Sequence, residues 1–310
     1  MSSVRVESAA DGVRIGIHEL GGGGPPALLV HATGFHGLVL GPLARGLGAR
    51  FSSLAPDLRG HGCSGAPDRG EYGWDGFALD VLAAAWVAMP PARAGDTSTL
   101  PLVGVGHSLG GTALLLAEAA RPGTFAALYC YEPILFGPEQ RRSIEVPNAI
   151  SERARRRRPR FESRAAALER YGSKPPLDGL DPDVLAAYVE HGLLDTTDGA
   201  VELALRPEDE ALVFAFGFAI DALERLGAVR CPVVLARGGA STDVGRAALE
   251  HAASRLANPS IVELPDLGHL GPLEHPATVA SSVLATFDAV GHVAPGEPAR
   301  ISETDGTAGA

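Results

Sequence analysis

LVGVGHSLGG, residues Leu102–Gly111, supports two readings that lead to different chemistries. Four glycines (Gly104, Gly106, Gly110, Gly111) and a serine follow a short apolar run and precede the helix-forming TALLLAEAA. A phosphate-cradling loop requires G-x-G-x-x-G, and a turn that exposes a nucleophile requires G-x-S-x-G. The dinucleotide pattern needs a small residue three positions after its second glycine, where helix and strand pack closely, and Leu109 stands there. Such a loop also opens its domain, whereas about 100 residues precede this one. One feature favours a cofactor: Glu132 ends the next predicted strand, where an acid would hold a ribose hydroxyl. The second pattern is met in full by Gly106-His107-Ser108-Leu109-Gly110. Its glycines stand where a Cβ would strain a sharp strand-to-helix turn, and the turn lifts Ser108 to the top of a sheet.

Outward from this turn, short apolar runs alternate with segments of helical period. Strands are predicted at 4–8, 13–20, 27–31, 52–57, 102–106, 127–132, 233–237 and 261–265, with helices near 38–48, 74–89, 109–121, 243–256 and 277–290. From the third onward the strands are mostly apolar without strict alternation, as expected when both faces of a parallel sheet are covered. The fold class is therefore α/β, a mostly parallel eight-stranded sheet flanked by helices. Residues 138–225 between the sixth and seventh strands read as helices alone, one of them capped by Asp181, opened by Pro182 and stopped at Gly192. The expected organisation is a core domain (1–137 and 226–293), an all-helical cap (138–225) and a disordered tail (294–310) rich in Pro, Gly and Thr.

Composition excludes several classes. The formal charge of −11 gives no long-range attraction to nucleic acid or to anionic membranes. No apolar run reaches the roughly 18 residues of a membrane span, and the first residues lack an apolar leader segment. Lys174 is the only lysine, which removes a multi-lysine phosphate clamp. Cys63, Cys130 and Cys231 form no CxxC pair, so they read as buried free thiols in a reducing cytoplasm. The histidines show no metal-ligand spacing, and no metal or cofactor is expected.

A serine nucleophile needs a base from another loop. After the last strand, IVELPDLGHLGPLEHP supplies Gly268-His269, and the chain order serine, acid, histidine fits a triad. His275 reads as a helix-start residue. HATGFHG, residues 31–37, follows the third strand, and its amides can complete an oxyanion hole begun by the amide of Leu109. Thr33 is the expected second donor, with Gly34 as the alternative.

These motifs resemble the α/β-hydrolase fold over residues 10–290. PDLRGHGCSG (56–65) is similar to that family's D-x-R-G-x-G-x-S, and GHLGPLEHP to its G-H-x(4)-E-x-P ending. The resemblance implies that Asp57 and Arg59 fix loops and that His61 is structural. HATG departs from the commoner H-G-x. Family members usually carry the acid after the seventh strand as G-x-x-D; here that segment is RGGASTDVG, with Ser241 in the fourth place and Asp243 the nearest acid. Others, the haloalkane dehalogenases among them, carry it after the sixth strand, where Tyr131-Glu132-Pro133 stands. Glu132 ranks ahead of Asp243. Ser108 argues against dehalogenase and epoxide hydrolase activity, because the resembling enzymes use aspartate at the elbow.

The reading is a serine hydrolase of a carboxylic ester, lactone or related carbonyl compound, acting through an acyl-enzyme. A same-fold acyltransferase, a carbon–carbon bond hydrolase and a non-catalytic binding protein are the alternatives. The expected partner is a largely apolar small molecule; a homo-oligomer stays open. Tyr188, Leu193, Phe214, Phe216 and Phe218 are pocket candidates in the cap. The run Arg155–Arg158 reads first as a solvated helix face and second as a patch for carboxylate or phosphate.

Overall fold

The computed structural model describes residues 4–89, 101–135, 148–216, 222–242 and 245–289. Chain order gives strands β1 (Val4–Ser8), β2 (Arg14–Gly22), β3 (Pro26–Val30), β4 (Ser52–Pro56), β5 (Val103–His107) and β6 (Ala127–Tyr131). Short strands β7 (Arg160–Phe161), β8 (Leu193–Asp195) and β9 (Val201–Leu203) follow, and β10 (Val233–Gly238) and β11 (Pro259–Leu264) close the series. Eight of these form one sheet in the order β1-β2-β4-β3-β5-β6-β10-β11. The β1–β2 and β2–β4 pairs are antiparallel, and every other pair in the sheet is parallel. All eight fall where the sequence predicts them, within two residues at each end.

Burial explains why their sequences lack alternation. Leu28 and Val30 of β3 belong to one hydrophobic core, and Ala27 and Leu29 to the other, so each face of the strand is covered. The first core packs α2 (Trp74–Ala88) and α3 (Leu109–Ala120) on the sheet. The second packs α1 (Gly41–Leu47) and α11 (Pro276–Ala289) on the opposite face and continues into the cap through Phe161, Val184 and Tyr188.

The insertion between β6 and β10 contains α4 (Ala149–Arg155), α5 (Arg164–Gly172), α6 (Pro182–His191), α7 (Pro207–Phe216) and α8 (Ala222–Arg225). The expectation of an all-helical cap is corrected: β7, β9 and β8 pair there as an antiparallel sheet. Strands of two or three residues display no period that a sequence pattern could register. The capping reading of α6 is realised, since the Asp181 carboxylate accepts from the amides of Asp183 and Val184. Two short helices, α9 (Arg246–Ala253) and α10 (Gly271–Glu274), complete the core domain. The tail 294–310 lies outside the described residues.

Sheet order decides where the site lies. From β3 the chain steps outward to β4, then returns to place β5 on the other side of β3, and continues through β6, β10 and β11. Loops after β3 and β5 therefore part in opposite directions and leave a crevice at the carboxyl ends of those strands. Ser108 and Thr33 flank that crevice. Because β6 and β10 follow in sequence across the sheet, their terminal loops reach it as well.

Candidate active site

Ser108 sits between β5 and α3 with φ 52°, a left-handed conformation that a non-glycine residue adopts only under strain. Its amide donates to the Tyr131 carbonyl at 2.9 Å, so the turn is held from the neighbouring strand. Close backbone approach requires both flanking glycines. An ideal Cβ on Gly110 would lie 2.2 Å from the Val30 carbonyl oxygen, and one on Gly106 would lie 2.6 Å from the Gly111 nitrogen. Neither obstacle is a flexible side chain. Gly110→Ala should therefore cost about 3 kcal/mol by overpacking, read as a fall of at least about 6 °C in the thermal midpoint. An unchanged midpoint would show that the turn yields easily.

The loop at His269 is held at three points, one of them on the imidazole. Its Nδ1–H donates to Glu132 Oε2 at 2.7 Å, and its own carbonyl accepts from His107 Nε2–H at 2.7 Å. Tyr131 Oη donates to the preceding carbonyl, Gly268 O, at 2.7 Å. Glu132 is fully buried and has φ 44°. A buried carboxylate needs hydrogen-bond donors on both oxygens. Oε1 accepts from the Gly238 amide at 2.9 Å, and Oε2 accepts from Ser241 Oγ at 2.8 Å as well as from His269. Ser241 thus occupies the place where the sequence lacks an acid and donates to the acid on the neighbouring strand. Asp243, the alternative, lies outside the described residues.

Two backbone N–H groups in the loops after β3 and β5 are without an acceptor among the described residues. Leu109 is the first residue of α3, so its amide has no intrahelical acceptor, and no described residue accepts from it. Thr33 is buried and its amide likewise has no acceptor among the described residues. Gly34 differs: its N–H donates to His61 Nε2 at 3.2 Å. His61 in turn donates through Nδ1–H to the Arg59 carbonyl at 2.9 Å, which fixes its tautomer, and burial pulls its pKa below the ordinary value. The neutral ring therefore pins the 31–37 loop with Thr33 free and Gly34 occupied. Ser108 Oγ makes no hydrogen bond among the described residues; such contacts commonly tighten only when substrate binds.

A second brace lies behind this loop. Asp57 accepts from Gly37 N–H at 2.7 Å, from Cys63 N–H at 2.8 Å and from His18 Nε2–H at 2.9 Å. Burial alone would raise its carboxyl, but the His18 hydrogen bond and the neighbouring histidines hold it well below the usual range. His18, Asp57 and Cys63 are the trio of metal-ligand types that come within 4.8 Å among the described residues. Cys63 is exposed as a residue but its thiol end is partly sheltered, and that shelter with the Asp57 charge pushes the thiol up to about 12, away from the thiolate a metal would take. Arg59 grips Asp80 through Nε and Nη2 and reaches Asp11 through Nη1 at 2.7 Å, tying β1's loop to α2. Cys130 and Cys231 are buried as expected, whereas Cys63 is exposed.

His107, Tyr131 and Ser241 are the positioning contacts that motif reading passes over. His107 fills an unspecified position inside G-x-S-x-G, and its bond to a carbonyl 162 residues away leaves no trace in the sequence. Of the cap candidates, Tyr188 and Leu193 are buried, Phe214 is half-buried, Phe216 is exposed and Phe218 lies outside the described residues. Arg155 pairs with Glu152 and Arg158 bonds the Arg160 carbonyl while lying over the Phe161 ring, so most of the arginine run is a solvated face. Arg157 alone turns inward.

A serine on a strained turn, a histidine backed by a buried carboxylate and two amides without an acceptor among the described residues are group types that hydrolytic chemistry can use. The chain belongs to the Alpha/beta hydrolase family, whose model matches residues 27–282. Among curated relatives, the 2-(acetamidomethylene)succinate hydrolase of Mesorhizobium japonicum is 27% identical over 254 residues, 80% of this chain and 82% of that protein. The magnesium-chelatase 30 kDa subunit of Rhodobacter capsulatus is 34% identical over 116 residues, which span 36% of this chain and only 38% of that subunit. The crystal structure of E-2-(acetamidomethylene)succinate hydrolase superposes with a TM-score of 0.76 at 23% identity, covering 93% of this chain and all of that one (100%). No described helix is long and apolar enough to cross a membrane.

Proposed function

We propose that the protein is a serine hydrolase that cleaves a carboxylic ester, lactone or related carbonyl substrate through an acyl-enzyme. The observation that carries this reading is the 2.7 Å bond from His269 Nδ1 to fully buried Glu132, formed beside the strained serine turn. With Nδ1 committed to the carboxylate, the lone pair of the neutral ring is on Nε2, the nitrogen that can take a proton. His269 Nε2 then removes the Ser108 proton as Oγ attacks the carbonyl carbon, and Glu132 stabilises the imidazolium that forms. The oxyanion is received by the amides of Leu109 and Thr33, with the N-terminus of α3 adding its dipole. Collapse expels the alcohol, protonated by His269, and water activated by the same histidine releases the acid.

The relative from Mesorhizobium bears a name that states hydrolysis, which agrees with this assignment. No feature of the described residues favours acyl transfer to another acceptor over transfer to water. Labelling with a fluorophosphonate probe tests the reading. One equivalent should attach to Ser108 in the native protein and none to Ser108→Ala, and short p-nitrophenyl esters should be hydrolysed by the former alone. Absence of both labelling and turnover would remove the proposal.

A further inference from the structure

The insertion between β6 and β10 places a charged pair over the loop that carries Thr33. Arg157 Nη1 donates to Glu210 Oε2 at 2.5 Å, and Nη2 donates to Tyr188 Oη at 2.5 Å and to Tyr171 Oη at 3.4 Å. The arginine side chain is 21% exposed and the glutamate 7%, whereas the other three members of the run are exposed to solvent. An ideal Cβ on Gly34 would lie 2.6 Å from Glu210 Oε1 and 3.7 Å from Arg157 Nη1. The guanidinium is thus one residue removed from the Thr33 amide, and it lines a cleft with Gly34, Phe35, Tyr188 and Leu203.

Burying an arginine–glutamate pair seldom gains stability over apolar residues of similar volume, so stability gives little reason to place one here. Its geometry suits recognition. A guanidinium has five N–H donors, and the bonds to Glu210, Tyr188 and Tyr171 leave two without a partner among the described residues. Those three partners hold the fork in one orientation before any ligand arrives, which lowers the entropy lost on binding. Burial works against the charged guanidinium, but Tyr188 and the Glu210 carboxylate outweigh it and keep the group protonated, and Glu210 also balances its charge in the cleft.

We infer that Arg157 anchors a carboxylate of the substrate. This deepens the acyl-enzyme reading and rests on it: the preferred substrates are esters, thioesters or amides with a free carboxylate a short carbon chain away from the scissile carbonyl. The remaining donors, Nε–H and one Nη1–H, lie on different edges of the guanidinium, so a carboxylate oxygen is taken by one of them singly, as a charge-assisted hydrogen bond. A phosphate dianion would meet the Glu210 carboxylate with twice the repulsion. Because the whole molecule carries −11, the selectivity arises at contact range and not from long-range attraction.

The test compares mono-(4-nitrophenyl) glutarate with 4-nitrophenyl pentanoate, which share leaving group and chain length and differ in the terminal charge. The native protein should favour the anionic ester in kcat/KM by about tenfold or more, the size of one charge-assisted hydrogen-bond set. Arg157→Gln should bring that ratio to near one, chiefly through KM for the glutarate ester, and Arg157→Lys should retain part of it. A native ratio at or below one overturns the inference whatever the variants do. Equal proportional losses for both esters in Arg157→Gln overturn it too, because they assign the arginine to cap structure. If neither ester is hydrolysed and the fluorophosphonate does not attach, the acyl-enzyme reading itself has failed, and that result is distinct from lost selectivity.

Discussion

Glu132→Gln should lower kcat for a p-nitrophenyl ester by about 10⁴-fold, the loss seen when the acid of a triad becomes its amide. The substitution keeps shape and burial but removes the charge that would oppose the imidazolium. It also changes which partner each terminal atom can serve. Native Oε1 accepts from the Gly238 amide and Oε2 from both Ser241 and His269, so both oxygens act only as acceptors. A glutamine offers one acceptor and one donor group. Whichever way it turns, an NH₂ confronts a hydrogen bond donor, and with the amide nitrogen toward His269 the ring must take the wrong tautomer. Asp243→Asn under the same assay should cost less than about threefold, as expected if Glu132 is the acid. A loss in Asp243→Asn equal to that in Glu132→Gln would reassign the acid, and small losses in both would remove the role from each.

Acidification should unfold the protein well above the pH at which carboxylates titrate. Four buried histidines are kept neutral by burial. His31 is pushed down to about 3 and His36 to about 4, His61 is lowered, and His107 is held well below the ordinary value with help from the nearby His269. Each has a lower pKa folded than unfolded, so the unfolded chain binds more protons between the two values. Their contribution is intact above the unfolded value of 6.5 and is lost as pH falls toward 4 and 3. For His31 and His36 the loss approaches about 1.4 kcal/mol per pH unit each between 6.5 and their lowered values. Two pH units would then remove about 6 kcal/mol, a large share of the about 5–15 kcal/mol that stabilises an ordinary domain. Asp80 and Glu274, raised by burial, offset a fraction of this because their protonation favours the folded state. Asp57 works in the same direction as the histidines but only below the ordinary carboxylate range. Thermal midpoints at pH 7.5, 6.5, 5.5 and 4.5 should fall by more than about 10 °C over the series. His36→Phe, which removes a buried ring nitrogen without a partner among the described residues, should flatten the slope. A midpoint independent of pH would exclude the mechanism.

The tautomer of these rings ties stability to the site. His31 donates through Nδ1 to the Ala32 carbonyl and accepts the Leu58 amide on Nε2 at 3.0 Å, and His61 repeats the pattern with Arg59 and Gly34. A proton on either Nε2 would place two donors face to face. The loop bearing Thr33 would be freed before the sheet melted, so activity should decline ahead of the thermal midpoint as the solution is acidified.

Much of this was legible in the chain. The strands announced themselves as apolar runs because both faces of a parallel sheet are covered, and G-x-S-x-G with its helix marked the turn at Ser108. Gly268-His269 after the last strand was legible for the same reason: turn chemistry is local. The cap strands were not, being too short to show a period. Nor was the direction of Arg157 within four consecutive arginines, since residue type is identical at each position and only packing against Tyr171, Tyr188 and Glu210 distinguishes one.

What the sequence determined by itself is therefore the set of local devices: an α/β alternation, a strained serine turn, a histidine loop and a short list of two acids. Tertiary structure decided their meeting. Glu132 and His269 stand 137 residues apart, and they touch because β6 lies beside β10 and β10 beside β11 in the sheet. It decided also that Ser241 donates to that carboxylate, that His107 reaches the His269 carbonyl, and that Gly34 gives its amide to His61 and leaves the Thr33 amide without an acceptor among the described residues. Period and turn chemistry act over a few residues, whereas hydrogen bonds between loop ends depend on strand order, which no short segment encodes.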